Sequence, residues 1–455
     1  MAFFSTASQM SPSGAGLVVP PPAVPTPSIP GDHRVYRRLG NGLTVITESM
    51  PVDAVNLSLW VNVGSAREPT PLNGITHFLE HMVFKGTDRL QVGEFERVTE
   101  SCGAVTNAAT SQDYTQFYMT CAPDHFRDLA PLQVDVVMNP ALPAAEFERE
   151  RRVVLEEIRR SEDNARRRFF RHVSTLGFGR SPYSRPVLGP PEVIEGMPVE
   201  TMARFHRHHY RPENVTVIAI GNLPPDDLAD AVIEGFDQRL GSLGSPAVGD
   251  KEDLRSPSPV PLPPFETIVR QDHEDPVLQQ ARLAMVWRGP GLTAPDQCNP
   301  LDVLSTILAR GRTSRLVQEL REELGLVNYV SASNLTYAEQ GLFYVSAQLP
   351  EDNIEAVEAC IRRHIERLRT EPVTPSELAR VKTRVANSFI FGNETPSNRA
   401  GLYGYYETLM GDIHQGLQYP ADIRSLTVED LQAAAQRWLN PDAYGLVTVR
   451  PGDES

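Results

Sequence analysis

The pattern of hydrophobic and polar residues predicts two successive series of short strands and helices. Strands are expected where apolar residues alternate with polar ones or run together between turn residues. Helices are expected where apolar positions recur every three or four residues. In the first half, strands are predicted at residues 43–47, 56–63, 104–108, 114–121 and 215–221. Helices are predicted there at residues 73–85, 92–102, 124–138, 144–171 and 199–208.

The second half repeats this plan. Strands are predicted at residues 282–287, 328–333 and 341–348, and helices at residues 301–309, 353–369 and 375–390. Residues 437–450 echo residues 209–220, because in both segments a helix end is followed by Pro, an acidic turn and a buried strand. We interpret this likeness as an internal duplication. Runs of strands beside runs of helices predict an α+β fold.

A chain of 455 residues is too long for one ordinary hydrophobic core. We predict a disordered Pro/Ser-rich tail at 1–31, a first domain at 32–240, a Pro/Ser/Gly-rich linker at 241–264 and a second domain at 265–455. The tail has neither the basic start of a signal peptide nor the arginines of a transit peptide. No run of 18 apolar residues is present to span a membrane. A cytoplasmic location is therefore expected, and organellar import stays open.

The net charge of −15 argues against nucleic acid as a partner. An acidic cavity would attract a cationic peptide, although acidity that only aids solubility is the alternative. The four cysteines are widely spaced and form no Cys-x-x-Cys pair. We interpret them as buried thiols of a reducing compartment.

Residues 77–81 read His-Phe-Leu-Glu-His and carry the candidate chemistry. His77 and His81 are four apart, so on a helix they share a face and can ligate one metal ion. Glu80 lies on the same side, where a carboxylate can act on a metal-bound water without ligating the metal. The alternative is a chance match on a surface helix. A catalytic zinc also needs a third protein ligand.

Glu150 and Glu157 are the candidates for that ligand and its support. They are seven residues apart on a predicted helix, which is two turns and therefore one face. Val153 and Val154 lie between them, so the pattern predicts a buried functional face. The alternative is a solvated helix rich in Glu and Arg.

The chain resembles the pitrilysin and mitochondrial processing peptidase family of zinc peptidases, which carry this inverted motif. Gly64 and residues 74–87 match the family signature, and Glu157 follows His81 by 76 residues, the family's interval to its third ligand. The resemblance covers about residues 34–450 and places this chain with the short, two-domain members. It implies two duplicated α/β roll domains, each a mixed or antiparallel sheet with helices packed on one face.

The resemblance implies a zinc metalloendopeptidase that hydrolyses peptides or leader segments in an enclosed chamber. His77, His81 and Glu157 would hold one zinc ion per chain, Glu80 would activate the zinc-bound water, and Glu150 would support the ligands. The second domain would be a non-catalytic duplicate that helps to form the chamber, since its predicted helix at 299–309 has neither His nor Glu.

The same resemblance implies the substrate contacts. Asn107 and Ala108 would hold the substrate backbone as an added strand. Arg321 occupies the position of a substrate-binding arginine, although pairing with a neighbouring glutamate is the alternative. The family's tyrosine position is Asn328 here, and Tyr329 comes one residue later, where a strand side chain points to the other face.

By resemblance, two chains would close around the chamber, as a homodimer or as a heterodimer with a related subunit. Unstructured peptides, basic ones included, are the expected partners, and nucleic acid and membranes are not. Two alternatives remain, a subunit active only with a partner chain and a non-catalytic structural relative. No metal role is predicted for five further histidines. His206, His208 and His209 are expected at a surface helix end, and His172 and His364 are expected among arginines.

Overall fold

A computed structural model describes residues 34–240 and 258–452, which form two sheets with helices around them. The predicted tail and most of the predicted linker lie outside these residues. The strands of the first sheet are β1 (Arg34–Arg38), β2 (Thr44–Ser49), β3 (Val55–Val61), β4 (Val105–Thr110), β5 (Thr115–Cys121) and β6 (Val215–Gly221). Those of the second are β7 (Val269–Asp275), β8 (Ala281–Pro290), β9 (Tyr329–Thr336), β10 (Gln340–Leu349) and β11 (Gly445–Pro451).

The α-helices divide between the same two parts of the chain. Those of the first are α1 (Ile75–Met82), α2 (Glu94–Ser101), α3 (Pro123–Met138), α4 (Ala144–Asp163), α5 (Ala165–Phe178), α6 (Pro191–Gly196), α7 (Val199–His209) and α8 (Pro225–Leu240). Those of the second are α9 (Pro295–Ala309), α10 (Ile354–Thr370), α11 (Pro375–Phe391), α12 (Pro396–Met410), α13 (Ile413–Ser425) and α14 (Val428–Trp438). The segment Val317–Glu323 is π-helical.

The two sheets share one topology. The first has the strand order β1-β2-β6-β3-β5-β4 and the second β7-β11-β8-β10-β9, so the orders correspond once the extra strand β1 is set aside. Each sheet has one parallel pair, β2 with β6 and β7 with β11, and its other pairs are antiparallel. The predicted α+β fold of two duplicated halves is confirmed. The exact limits of the two domains stay a prediction.

Each sheet is covered on both faces, and the two halves exchange one helix to achieve this. The face of the first sheet that carries Leu57 and Val217 packs on helices of its own half. The opposite face, with Trp60 and Ile218, packs on α12 of the second half. In return, α5 of the first half covers the second sheet. The predicted packing of helices on one face therefore holds for the helices of the same half. The other face of each sheet is also apolar, so a helix from the other half covers it.

Close contacts hold the exchanged helix α12 in place. A Cβ atom at Gly404 would lie 2.1 Å from the Trp60 ring, so only glycine allows this approach. Arg399 donates to Glu48 at 2.9 Å, and the Tyr403 hydroxyl bonds the same carboxylate. Burying one large apolar side chain such as Trp60 contributes about 2 kcal/mol to the stability of the fold. Separating the halves would expose this whole apolar surface to water.

Several predicted elements differ from the structure. The predicted helix at 144–171 is broken at Asn164, whose side chain caps α5 by accepting from the backbone N–H groups of Arg166 and Arg167 at 3.0 and 3.1 Å. Because of this break, α5 can leave α4 and cross to the second sheet. Val153 is 46% exposed, so the predicted apolar stretch between the two glutamates is only half buried.

The predicted surface position of the histidines at 206–209 is wrong for two of them. His206 and His209 are buried, since α7 packs against the core of the first half. His206 Nε2 lies 2.9 Å from the Val137 carbonyl oxygen. Burial lowers the pKa of His206 to about 4, so this ring is a neutral core side chain.

Within the described residues, no helix combines the length and the apolar character that crossing a membrane requires.

Candidate metal centre

The start of the motif helix α1 is fixed by a buried carboxylate that the sequence analysis missed. Glu68 is fully buried and accepts from Asn73 Nδ2 and the Gly74 N–H at 2.8 Å, and from the Thr76 N–H at 2.9 Å. Burial raises the pKa of Glu68, and these three donors act against that rise. The carboxylate satisfies N–H groups that the first turn of a helix leaves without partners.

Two motif glycines allow close backbone approaches around this helix. Gly74 has φ = 97°, and a Cβ atom there would lie 2.7 Å from the Leu188 carbonyl oxygen. A Cβ atom at Gly64 would lie 2.4 Å from the Ser111 carbonyl oxygen. A larger residue at either position would push α1 or the turn after β4 away from the site.

The structure brings His77, His81 and Glu157 together. Their ligand atoms all lie within 4.8 Å of one another. Glu157 Oε2 is 3.5 Å from His77 Nε2 and 3.6 Å from His81 Nε2. Ligands at about 2.1 Å from a tetrahedral zinc ion lie about 3.4 Å apart, so the spacing matches this ion. Two imidazoles and a carboxylate are also a zinc donor set that leaves a fourth position open.

Glu150 supports this group from behind His81. Its Oε2 lies 3.3 Å from His81 Nδ1, which leaves His81 Nε2 to face Glu157. Its Oε1 forms an ion pair with Lys85 Nζ at 2.8 Å. A carboxylate on the far nitrogen of a ligating histidine fixes the ring and its tautomer. The structure thus places Glu150 beside His81, with Lys85, one turn after His81, as its ion-pair partner, and the supporting role of Glu150 stays a prediction.

The charge states of the three side chains suit a cation. Burial, with the nearby charge of His81, lowers the pKa of His77 to about 4, so His77 is a neutral imidazole. Burial also lowers the pKa of His81, but its polar contacts with the Glu157 and Glu150 carboxylates outweigh this and raise it. The contact with His81 lowers the pKa of Glu157, which stays ionised. A metal ion would replace the proton of His81.

Glu80 lies beside these three residues with its carboxylate held by Thr110. The Thr110 hydroxyl donates to Glu80 Oε2 from the last residue of β4. Burial raises the pKa of Glu80, and the charge of Glu157 adds to this, while Thr110 and His81 act against it. A carboxylate whose pKa is raised can accept a proton and hold it. In the sequence, nothing except the position of Thr110 near the predicted edge strand points to this contact with Glu80.

Asn107 and Ala108 lie on β4, which is the edge strand of the first sheet. Side chains along β4 alternate between exposed and half-buried, with Asn107 exposed and Ala108 half-buried. The Asn107 side chain accepts from the Ala108 N–H at 2.9 Å. An edge strand has one row of backbone groups without a neighbouring strand, so β4 can pair with an extended peptide. Their role in substrate binding stays a prediction.

The structure does not bring Arg321, Asn328 and Tyr329 into this cluster. Arg321 donates to Glu322 Oε1 at 2.6 and 3.0 Å, which is the pairing that the sequence left as an alternative. Asn328 donates to Gln280 Oε1 at 2.7 Å. Tyr329 is 57% exposed at the start of β9. Their proposed contacts with substrate stay predictions.

A second group of possible ligands was not predicted. Glu319, Cys360 and His364 lie within 4.8 Å of one another in the second half. However, Arg363 forms an ion pair with Glu319, and its Nη2 lies 3.3 Å from Cys360 Sγ. Burial raises the pKa of the Cys360 thiol to about 12. A guanidinium at this place opposes a metal cation, so we interpret the group as an ion-pair network.

Comparisons with known proteins agree with the fold and with the family resemblance. The model of Insulinase (Peptidase family M16) matches residues 44–191, and the model of the Peptidase M16 inactive domain matches residues 197–385. An uncharacterized zinc protease of Mycobacterium bovis is 30% identical over 430 residues, which cover 94% of this chain and 95% of that protein. The chain therefore belongs to peptidase family M16, and the predicted membership of the pitrilysin family is confirmed.

Solved structures show the same two-domain fold. A protease from Helicobacter pylori has a TM-score of 0.83 and 25% identity, covering 92% of this chain and 99% of that one. A Pseudomonas fluorescens structure described as a peptidase M16 inactive domain has a TM-score of 0.79 and 20% identity, covering 92% and 98%. This second likeness shows the fold alone.

Proposed function

We propose that this protein is a zinc-dependent endopeptidase that holds one zinc ion per chain on His77, His81 and Glu157. The observation that carries the proposal is the spacing of their ligand atoms, with Glu157 Oε2 at 3.5 and 3.6 Å from the two imidazoles. The names of relatives such as the Mycobacterium bovis zinc protease support the same class. No equivalent histidine pair occurs on α9 of the second half, which supports one ion per chain.

When bound, a zinc ion would supply Lewis-acid chemistry, lowering the pKa of a coordinated water and polarising the scissile carbonyl. Glu80 accepts the proton of the attacking water and returns it to the leaving amine nitrogen. Thr110 holds the Glu80 carboxylate in place for this transfer. Glu150 and Lys85 keep the His81 ring in its ligating orientation.

Substrate would bind as an added strand along β4. Asn107 and Ala108 would hold the peptide backbone, and main-chain bonding places few demands on the sequence of the peptide. Thr110 on the same strand contacts Glu80, so a peptide paired with β4 runs past the general base. Unstructured peptides or leader segments are the substrates that such pairing admits.

The test compares Glu80→Gln with Glu100→Gln, an exposed glutamate on α2. Both variants and the natural protein are assayed on an unstructured basic peptide, with and without a chelator, and their zinc content is measured. We expect Glu80→Gln to lose most activity while zinc stays near one per chain. The Glu100→Gln variant should match the natural protein. Full activity in Glu80→Gln would contradict the mechanism.

A specific observation favours a second candidate, a subunit that is active only with a partner chain. Arg321 and Asn328 are not brought to the metal centre of their own chain and pair instead with Glu322 and Gln280. A homodimer or a heterodimer with a related subunit could supply these contacts. The measurement is the mass of the protein in solution together with its activity before and after adding a related chain. Activity in the isolated monomer would exclude this candidate, and no hydrolysis in any combination would indicate a non-catalytic relative.

A further inference from the structure

One row of side chains crosses the second sheet on the face that α5 covers. Arg282 of β8 is in register with Gln348 of β10, which is in register with Tyr329 of β9. On the other side, Arg282 is in register with Val449 of β11. Residues in register on neighbouring strands project from the same face of a sheet. The row therefore lies at the polar end of a face whose other end is apolar and packed on α5.

Arg282 carries a charge that lacks a partner in this row. The side chain is half-buried, and its Nε atom is buried without a hydrogen-bond partner in the part of the chain that the structure describes. Its guanidinium lies 6.0 Å from the centre of the Phe169 ring. The nearby carboxylate of Asp275 is held by Arg168, whose Nη2 and Nε are 2.6 and 2.9 Å from Asp275 Oδ2. In the same part of the chain, no hydrogen bond or ion pair is found for the two terminal guanidinium nitrogens of Arg282 either. A half-buried guanidinium whose terminal nitrogens lack protein acceptors is a place for a ligand carboxylate.

Arg166 adds a second cation from the first turn of α5. Its side chain is exposed, and no ion pair or side-chain hydrogen bond to it is found within residues 34–240 and 258–452. Its charge helps to lower the pKa of Arg282, after the larger effect of burial, and also acts on Tyr344. The charge of Asp275 acts on Arg282, but its carboxylate is bound by Arg168, and Arg166 adds a further positive charge beside Arg282. This local excess of positive charge contrasts with the net charge of −15 for the whole chain.

The turn at Asn164 links the candidate metal centre to this part of the second sheet. Glu157 is on α4, and Arg166 follows the break at Asn164 that joins α4 to α5. From there α5 crosses to the second sheet, where the ring of its Phe169 lies 6.0 Å from the Arg282 guanidinium. A peptide that follows this path from the metal centre would meet Arg166 and Arg282.

We propose that Arg166 and Arg282 form a subsite that binds a carboxylate of the peptide substrate. The proposal rests on the proposed peptidase function and adds to it a preference for an acidic group. Guanidinium groups match the planar shape of a carboxylate and are less strongly hydrated than ammonium groups. The exposed ring of Phe170, whose centre is 6.3 Å from that of Tyr344, offers an apolar contact beside the subsite. The carboxylate can belong to an Asp or Glu side chain or to the peptide's C-terminus.

The experiment measures peptide binding and cleavage separately. Labelled unstructured peptides carry one Glu or Gln at successive positions, and a second series ends in a free acid or an amide. Dissociation constants are measured by fluorescence anisotropy with the zinc-loaded Glu80→Gln protein, and kcat and KM with the natural one. The variants are Arg166→Gln and Arg282→Gln, each also made in the Glu80→Gln background. The matched control is Arg127→Gln, an exposed arginine on α3.

We expect an acidic residue at one position, or the free C-terminus, to lower Kd and KM about tenfold, as a charge-assisted hydrogen bond does. Arg166→Gln and Arg282→Gln should each reduce this preference several-fold, and Arg127→Gln should keep it. If every acidic peptide bound as tightly as its neutral counterpart, the proposal of this subsite would be overturned. Arg166 is exposed, so its variant decides the question if Arg282→Gln fails to fold. If the natural protein cleaves nothing, the peptidase function fails, while the binding measurement still tests the subsite.

Discussion

Replacing Glu68 with Gln tests whether the buried carboxylate below α1 fixes the candidate metal centre. One carboxylate oxygen accepts from Asn73 and Gly74 at 2.8 Å, and the other accepts from the Thr76 N–H at 2.9 Å. An amide offers only one acceptor oxygen and places its own N–H groups against the remaining donors. Either the Gly74 or the Thr76 N–H is therefore left buried without an acceptor.

A buried donor without an acceptor costs about 1 to 3 kcal/mol. Removing a buried charge offsets part of this cost, since burial already raises the pKa of Glu68. We expect the free energy of unfolding to fall by about 2 kcal/mol. His77 lies in the first turn of α1, so a shift of that turn should also weaken zinc binding about tenfold.

Urea unfolding of the zinc-free protein and zinc titration against a competing chelator measure the two effects separately. The Glu100→Gln variant is the control, because Glu100 is an exposed residue on α2. If Glu68→Gln matched this control in both measurements, the carboxylate would not position the helix, and the reasoning from its three hydrogen bonds would be refuted.

Three further predictions concern single side chains. Thr110→Val removes the hydroxyl that holds Glu80, so kcat should fall about tenfold with KM unchanged; a change in KM alone would contradict this. Glu150→Gln weakens the support of His81, so zinc titration should show about tenfold weaker binding; unchanged affinity would exclude that role. Burial lowers the pKa of His206 to about 4 from 6.5, so stability is lost as the pH falls from about 6.5 and the loss is complete below about 4. With a chelator present, the free energy of unfolding of His206→Gln should fall by about 3 kcal/mol less over this pH range than that of the natural protein. Equal losses in urea unfolding would refute the assignment of His206 as a neutral core side chain.

Much of the fold followed from the sequence because its central strands have strong apolar patterns. The predicted bounds of β3 and β6 are close to the observed ones, since β3 alternates apolar with polar residues and β6 is almost wholly apolar. The edge strands β1 and β7 were missed, because their polar and charged residues show no hydrophobic alternation. The break in the helix at Asn164 was also missed, since the residues on both sides favour a helix.

The candidate site divides in the same way. Helical spacing was sufficient to select His77 with His81 and Glu150 with Glu157, and the family resemblance assigned the last two their roles. The partners that hold these residues were not predicted. Glu68 contacts residues five to eight positions away across a short 3-10 turn, and Thr110 reaches Glu80 on α1 from the strand β4. Such contacts depend on the packing of separate elements and leave no periodic signal.

The sequence by itself determined the helix that carries the motif, the duplication and the family, because these depend on local spacing and on matches along the chain. Only the tertiary structure decided how the halves exchange α5 and α12, and which charges remain without partners. Arg166 and Arg282 are 116 positions apart, and nothing in their local sequence distinguishes them from arginines that form ion pairs. Their proximity arises because α5 crosses to a sheet whose strands come later in the chain. A charge lacks a partner only relative to everything packed around it, which is a property of the folded molecule.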